Sequence, residues 1–264
     1  MRNGMLEIIN YRALITINNN KKIYFASDNH LGVPDYLGTR DRELKFVKWL
    51  DKIKDDAAGI FLLGDLFDFW FEYKSVIPKG FTRTFGKLAE ISDSGIPIHF
   101  FVGNHDMWMK DYFKKELNIT VHHNPKEFIF NEKIFFIGHG DGLGPSDKSY
   151  KRVKKIFTNS FFQFLFKWIH PDIGIPFGQF LSQKNKNKSQ KKDLIFKDND
   201  SEWLAQYCKK KLITKHYDYF VFGHRHLPLE IPLNNSSTYY NLGDWINHFS
   251  YCSFDGKKME LKKS

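Results

Sequence analysis

The stretch FVGNHD, residues 101–106, places an apolar run directly before an amide, an imidazole and a carboxylate. Glycine at the junction lets the backbone turn sharply, so the polar side chains can gather just beyond the apolar run. One such stretch alone would be weak evidence for a functional site. Four other segments of the chain end in the same way, which makes the pattern a property of the fold.

Five apolar runs rich in β-branched and aromatic residues stop at a polar cluster: IYFASDNHLG (23–32), GIFLLGDLFD (59–68), PIHFFVGNHD (97–106), KIFFIGHGD (133–141) and YDYFVFGHRH (217–226). Continuous apolar runs of this length predict strands buried on both faces. Segments 40–56 and 80–95 have helical spacing between the first three runs, so strands and helices alternate as in a layered α/β fold. In such sheets the ligand site lies beyond the carboxyl ends of the strands, where these polar clusters fall.

The second half of the chain is expected to be richer in strands, with one strand near 237–245 and a C-terminal hairpin. A length of 264 residues suits one core with or without an appended lobe, and we expect a single domain over 1–264. The 27 Phe and 17% aromatic content exceed what a core alone requires. That surplus predicts apolar surface outside the core.

Lys and Arg number 40 against 30 Asp and Glu, which gives a net charge of +10 and indicates an anionic partner. Charge alone does not distinguish nucleic acid, a phosphorylated metabolite and an acidic membrane surface. The two cysteines, Cys208 and Cys252, lie outside any CxxC pair and favour a reducing compartment. The N-terminal residues lack a signal-peptide pattern, and no apolar stretch is long enough to span a membrane, so we expect a soluble or peripheral protein.

Segment 147–205 departs from the alternation of strands and helices. It combines an aromatic-rich stretch, a middle interrupted by Pro and Gly, and the basic run SQKNKNKSQKK (182–192). Two interpretations remain open at this point. The segment is either an amphipathic surface helix followed by a solvated loop, or a lid with an apolar face and a cationic face.

The polar clusters supply oxygen and imidazole ligands without a thiolate. They contain Asp28, His30, Asp65, Asp68, Asn104, His105, His139, His224 and His226. Such a set suits divalent Mn, Fe, Zn or Mg, and it can hold two ions that share one carboxylate. Two such ions stabilise the attacking and leaving oxygens of a displacement at phosphorus and lower the pKa of a shared water. The residues therefore predict hydrolysis of a phosphoester or phosphoanhydride, in agreement with the positive net charge.

The blocks DNH, GDLFD, GNHD, GHGD and GHRH, in this order, resemble the calcineurin-like binuclear metallophosphoesterase family. The resemblance implies a layered sandwich of two mixed β-sheets flanked by helices, with an inserted helical lid. It implies two divalent ions, with Mn(II) favoured, bridged by Asp65. One ion would be held by Asp28, His30, Asp65 and His226, and the other by Asp65, Asn104, His139 and His224.

The same resemblance assigns a catalytic set of His105, Asp68 and Asn104. His105 would protonate the leaving group or grip a phosphate oxygen, while the Asp68 carboxylate would fix its tautomer. The best-studied members of one branch of the family carry Arg at the position of His105, so GNHD here follows the general family pattern.

That branch hydrolyses UDP-2,3-diacylglucosamine in lipid A biosynthesis. The present chain resembles it in the order of its blocks, which is GHGD, GPSDKSYK, an aromatic and basic insertion, GHRH and NLGDW. The resemblance implies cleavage of the pyrophosphate bond by a metal-activated hydroxide, giving 2,3-diacylglucosamine 1-phosphate and UMP. Segment 147–205 would be the lid over this lipid-linked nucleotide. Its expected substrate contacts are Phe161, Phe164, Leu165 and Trp168 for the acyl chains, and Ser182, Lys184 and Lys188 for phosphate.

Because such a substrate lies in a bilayer, we expect peripheral contact with the anionic cytoplasmic face of the inner membrane. Two other functions are weighed against this one. A broader metal-dependent phosphodiesterase or phosphatase would act on another phosphorylated substrate, and a metal-free scaffold would only bind. No nucleic-acid-binding motif accompanies the lysines near 208–215, so a solvated helix face is favoured there and no nucleic acid partner is expected.

Overall fold

Two six-stranded sheets organise the computed structural model, which describes residues 13–18, 20–32, 36–144, 148–193, 198–199 and 201–264. The strands in this part of the chain are β1 (Ala13–Ile15), β2 (Lys22–Ala26), β3 (Ala57–Leu62), β4 (Ile98–Phe101), β5 (Thr120–His122), β6 (Lys126–Phe130), β7 (Lys133–Ile137), β8 (Tyr219–Phe222), β9 (Pro228–Pro232), β10 (Thr238–Leu242), β11 (Ser250–Phe254) and β12 (Met259–Lys263). The helices are α1 (Tyr36–Ile53), α2 (Thr82–Asp93), α3 (Tyr112–Leu117), α4 (Lys148–Phe157), α5 (Ser160–Lys167), α6 (Pro171–Asp193) and α7 (Trp203–Leu212).

Both sheets are mixed. The first has the order β1-β6-β7-β8-β10-β9, in which β7, β8 and β10 are parallel, β6 is parallel to β1 and antiparallel to β7, and β9 is antiparallel to β10. The second has the order β12-β11-β2-β3-β4-β5, with β2 to β5 parallel and β11 antiparallel to β2. This confirms the predicted sandwich of two mixed sheets.

One core lies between the sheets, and many of its buried side chains are aromatic. Phe25 on β2 stacks on Phe135 on β7 with ring centroids 6.1 Å apart, and Phe61 on β3 meets Phe128 on β6 edge to face at 5.0 Å. Burying each such ring contributes about 1.5–3 kcal/mol. The runs are apolar on both faces because helices cover the outer face of each sheet, α1 and α2 on the second and α7 on the first.

The strands and helices expected from the sequence are present. The five apolar runs form β2, β3, β4, β7 and β8, the two helical segments form α1 and α2, and β11 and β12 make the C-terminal antiparallel hairpin. One of the two interpretations left open for the inserted segment placed a solvated loop after an amphipathic helix. The basic run 182–192 lies within helix α6 and does not form a solvated loop.

Helices α4, α5 and α6 follow β7, and aromatic contacts join them to the sandwich. Phe166 on α5 packs against Phe71 and Trp108, with ring centroids 4.7 and 4.8 Å away. Helix α6 comes so close that a Cβ on Gly178 would lie 2.3 Å from the Phe69 ring, so only glycine fits there. No helix in the described part of the chain has the length and apolar character needed to cross a membrane.

Candidate metal centre

The candidate ligands lie in loops at the carboxyl ends of the strands, and their backbone conformation is unusual. Five of them, Asp28, His30, Asp65, His224 and His226, have left-handed φ angles between 45° and 70°. Each such residue costs of order 1 kcal/mol or more, and strain of this kind persists where the surrounding structure enforces it, often at functional sites. The loops therefore hold these side chains inward against a local preference.

The first group of side chains is Asp28, His30 and His226. His226 Nε2 lies 3.4 Å from Asp28 Oδ1 and 3.2 Å from His30 Nε2. The Ser27 hydroxyl and the His224 backbone N–H donate to Asp28 Oδ2 at 2.5 and 2.9 Å. Asp28 Oδ1 is buried with no hydrogen-bond partner among the described residues. A buried carboxylate oxygen left without a donor fits a divalent cation.

The second group is Asp65, His139 and His224, with Asn104 beside it. His139 Nε2 lies 3.4 Å from Asp65 Oδ2 and 3.2 Å from Asn104 Oδ1. Asp65 Oδ2 is also 3.7 Å from His30 Nε2, in the first group. The structure thus brings the seven side chains predicted as ligands into two groups that meet at Asp65.

A close backbone approach holds Asp65 in place. A Cβ on Gly103 would lie only 2.2 Å from Asp65 Oδ1, so a larger residue would displace the carboxylate. The His105 backbone N–H donates to the same oxygen at 2.8 Å. The glycine of GNHD therefore lets the chain approach the shared carboxylate, in addition to turning the strand end.

Partners behind the imidazoles fix which ring nitrogen faces the centre. His139 Nδ1 is 2.6 Å from the Leu63 carbonyl oxygen, and His30 Nδ1 is 3.1 Å from Asp68 Oδ1. His226 Nδ1 is 3.4 Å from Asp244 Oδ2. With Nδ1 engaged in each ring, Nε2 is the nitrogen that faces the other candidate ligands. Asp244 was missed in the sequence, although the glycine and carboxylate of NLGDW repeat the signal of the other blocks.

The crowding of buried charges shifts the pKa values of the group. Burial raises the pKa of Asp28, whereas the imidazoles of His139 and His105 overcome burial and hold the pKa of Asp65 well below its usual value. Burial opposes protonation of His139, but Asp65 raises its pKa to about 10, and burial lowers the pKa of His224 to about 3. Opposed shifts in one buried cluster are typical of functional sites.

His105 lies beside the first group and forms a further cluster with His30 and Asp68. His105 Nδ1 is 2.9 Å from the Asp68 backbone oxygen and 3.8 Å from the Asp68 carboxylate, which lies closer to His30. Ser182 on α6 reaches into this cluster, with its Oγ 2.8 Å from both His105 Nδ1 and Asp68 Oδ2. The carboxylate of Asp68 therefore orients His30, and its carbonyl makes the contact with His105.

The family profile described as "Calcineurin-like phosphoesterase" matches residues 21–228. The chain belongs to the calcineurin-like phosphoesterase family. The matched range contains every one of the candidate ligands, from Asp28 to His226.

This phosphoesterase is similar over nearly its whole length to proteins named UDP-2,3-diacylglucosamine hydrolase. The one from Porphyromonas gingivalis is 37% identical over 256 residues, which cover 91% of this chain and 97% of the relative. Those from Edwardsiella ictaluri and Proteus mirabilis are 22% and 25% identical, covering 90% and 82% of this chain and 90% and 89% of their own.

The apolar residues expected to contact substrate face outward on α5 and just beyond it. Phe161, Phe164, Leu165 and Trp168 are 49–77% exposed, and Ile173 and Phe177 on α6 are exposed as well. Among the polar residues expected at phosphate, Ser182 reaches the centre as described. Lys184 and Lys188 lie on helix α6, but their side chains are outside the described part of the structure.

Other carboxylates of the motifs support the loops of this phosphoesterase. Asp106 accepts hydrogen bonds from the backbone N–H groups of Gly103 and Leu66 at 2.6 and 3.0 Å, while burial and then Asp65 raise its pKa to about 8. Asp141 pairs with Lys154 on α4, with Nζ to Oδ2 at 2.5 Å. Asp106 thus joins the GNHD and GDLFD loops, and Asp141 joins the GHGD loop to α4.

Proposed function

We propose that this phosphoesterase hydrolyses the pyrophosphate bond of UDP-2,3-diacylglucosamine to 2,3-diacylglucosamine 1-phosphate and UMP. The observation that carries the proposal is the contact that Ser182 makes from helix α6. This helix bears exposed apolar residues, and through Ser182 it reaches His105 and Asp68 at the edge of the candidate metal centre. A lipid-linked diphosphate needs both features, because its reacting part is anionic and its anchor is apolar. The relatives named UDP-2,3-diacylglucosamine hydrolase support the same substrate.

The ligand set proposed for the first ion is Asp28, His30, Asp65 and His226. The set proposed for the second is Asp65, Asn104, His139 and His224. The oxygen and imidazole donors and the buried Asp28 Oδ1, which accepts no hydrogen bond from the described residues, support divalent ions, and Mn(II) is the ion proposed. Such ions, when bound, lower the pKa of a shared water and polarise phosphoryl oxygens.

The remaining chemistry falls to the side chains. Hydroxide oxygen bonds to the α-phosphorus, the bond from that phosphorus to the bridging oxygen breaks, and the lipid 1-phosphate leaves. The Nδ1–H of His105 is directed at the Asp68 carbonyl, which leaves Nε2 for the substrate. In its protonated form, Nε2 donates a hydrogen bond to a phosphate oxygen as negative charge develops there. Removing one such oriented donor costs about 100-fold in rate.

Segment 147–205 is the proposed lid within a single metallophosphoesterase domain. Its outward apolar residues would bury acyl chains or contact the bilayer, where each Å² of apolar surface removed from water contributes roughly 25 cal/mol. A few hundred Å² of such contact gives a several-kcal/mol attraction. This supports peripheral association with the cytoplasmic face of the inner membrane, aided by the net positive charge.

Substrate preference tests the proposal. Mn(II)-loaded protein is given either UDP-2,3-diacylglucosamine in detergent or a water-soluble p-nitrophenyl phosphodiester, and the release of UMP and p-nitrophenol is followed. Fast UMP release with little cleavage of the small ester supports the lipid-linked substrate. The reverse preference would make the protein a broader phosphodiesterase. If the protein retained no Mn(II) after incubation with the ion and cleaved neither substrate, the result would support a binding scaffold.

A further inference from the structure

A cavity of about 740 Å³ opens beside His139, between helix α4 and the loops that follow β4, β5 and β7. Its walls include Trp108 and Met109 on one side, His123 and Asn124 on another, and the GHGD loop at its base. The volume is within the range of sites for small ligands. The cavity is therefore large enough for a nucleotide and adjoins the second group of candidate ligands.

The α4 wall of this cavity is cationic. Lys151, Lys154 and Lys155 line it at positions three and four residues apart, which places them on one face of the helix. Contacts with the GHGD loop hold two of them, because Lys154 pairs with Asp141 and Lys151 Nζ donates to the Gly144 carbonyl at 3.0 Å. Asp141, which also lines the cavity, offsets one of these three ammonium charges, and the remaining positive charge favours an anionic ligand such as phosphate.

The centre has two different flanks. On the His105 flank, Ser182 connects it to α6 and so to the apolar residues of α5 and α6. On the His139 flank, the cavity presents lysines, an exposed imidazole at His123 and an exposed amide at Asn124. A substrate with an acyl end and a nucleoside end matches this asymmetry in one orientation only.

We propose that the cavity beside His139 takes the uridine 5′-phosphate half of the substrate. The inference rests on the proposed function and adds the orientation of the substrate to it. The α4 lysines lie against the phosphate that becomes UMP, while His123 and Asn124 offer a stacking surface and hydrogen-bonding groups for the nucleoside. The sugar and acyl chains then extend from the His105 flank towards α6.

Calorimetric titration of the Mn(II)-loaded protein with UMP, ribose 5-phosphate and inorganic phosphate tests the proposal. Base recognition predicts that UMP binds at least about tenfold more tightly than ribose 5-phosphate. The double variant K151A/K155A should weaken UMP binding by about tenfold or more, since it removes two charges from the wall. Lys257→Ala, in the distant turn between β11 and β12, removes an exposed lysine as the matched control. Equal affinities for UMP and ribose 5-phosphate, or UMP binding unchanged in the double variant, would overturn the proposal.

Turnover separates this proposal from the function on which it rests. In K151A/K155A the KM for UDP-2,3-diacylglucosamine should rise with little change in kcat, because these lysines bind substrate and transition state alike. Wild-type protein that hydrolyses the lipid but does not prefer UMP refutes the cavity assignment alone. Wild-type protein that prefers UMP but leaves the lipid uncleaved supports the cavity and contradicts the proposed hydrolysis.

Discussion

Gly103→Ala is the substitution whose effect on the centre follows most directly from the structure. The new Cβ would lie 2.2 Å from Asp65 Oδ1 and 2.6 Å from the Asp65 backbone nitrogen. Carbon atoms pack best about 3.5 Å or more from their neighbours, so Asp65 must move by about 1 Å. Metal–ligand distances tolerate only about 0.2 Å, so the shared carboxylate could no longer serve both groups.

The expected outcome for Gly103→Ala has three parts. Metal content falls below that of the wild type, turnover drops by about 100-fold or more for a misplacement of this size, and the forced packing costs about 1–3 kcal/mol of unfolding free energy. Elemental analysis, UMP release and chemical denaturation measure these effects.

Gly86→Ala, within helix α2, is the matched control because no described atom lies within 4 Å of the added Cβ. It should be neutral or stabilising by up to about 1 kcal/mol. Full metal content and near-wild-type turnover in Gly103→Ala would refute the role given to this close approach.

Three other predictions address the catalytic imidazole, acid stability and the apolar face. His105→Ala should keep its metal and lose about 100-fold in turnover, whereas Asp65→Ala should lose both, and a metal-free His105→Ala would contradict the assigned roles. Burial lowers the pKa values of His99 and His122 to about 4 and 3 in the folded protein. Between pH 6.5 and about 4 the unfolded chain therefore binds more protons than the folded one, so metal-free protein should lose stability as the pH falls through this range. Between pH 7 and pH 4.5 the urea midpoint should decrease less in His122→Gln than in the wild type. An equal decrease would count against the role given to His99 and His122. Trp168→Ser, which removes a 77% exposed ring, should shift protein from the membrane pellet to the supernatant during sedimentation, and an unchanged distribution would argue against membrane contact through this face.

The strands and the polar residues at their carboxyl ends were predictable because the sequence pattern that specifies them is local. An apolar run that ends in glycine and a polar cluster specifies both a buried strand and the position of its last side chains. Five such runs on parallel or neighbouring strands place their ends together, so the set of candidate ligands could be predicted from the runs, whereas its division into two groups came from the resemblance to the phosphoesterase family.

Contacts that depend on side-chain direction could not be read from the sequence. Asp68 lies three residues after Asp65, and only the path of the loop decides that its carboxylate turns to His30 while its carbonyl meets His105. The approach of Ser182 depends on the packing of α6 against Phe69, more than 100 residues away in the chain. The helical state of the basic run was also hidden, because exposed Lys, Asn, Ser and Gln suit both a helix surface and a loop.

Hydrolysis of UDP-2,3-diacylglucosamine by Mn(II)-loaded protein in water enriched in oxygen-18, with both products weighed by mass spectrometry, tests the central claim most directly. Attack at the α-phosphorus predicts that UMP gains the heavy oxygen while 2,3-diacylglucosamine 1-phosphate does not. Heavy oxygen in the lipid product would place the attack at the other phosphorus, and the absence of both products would contradict the proposed hydrolysis itself.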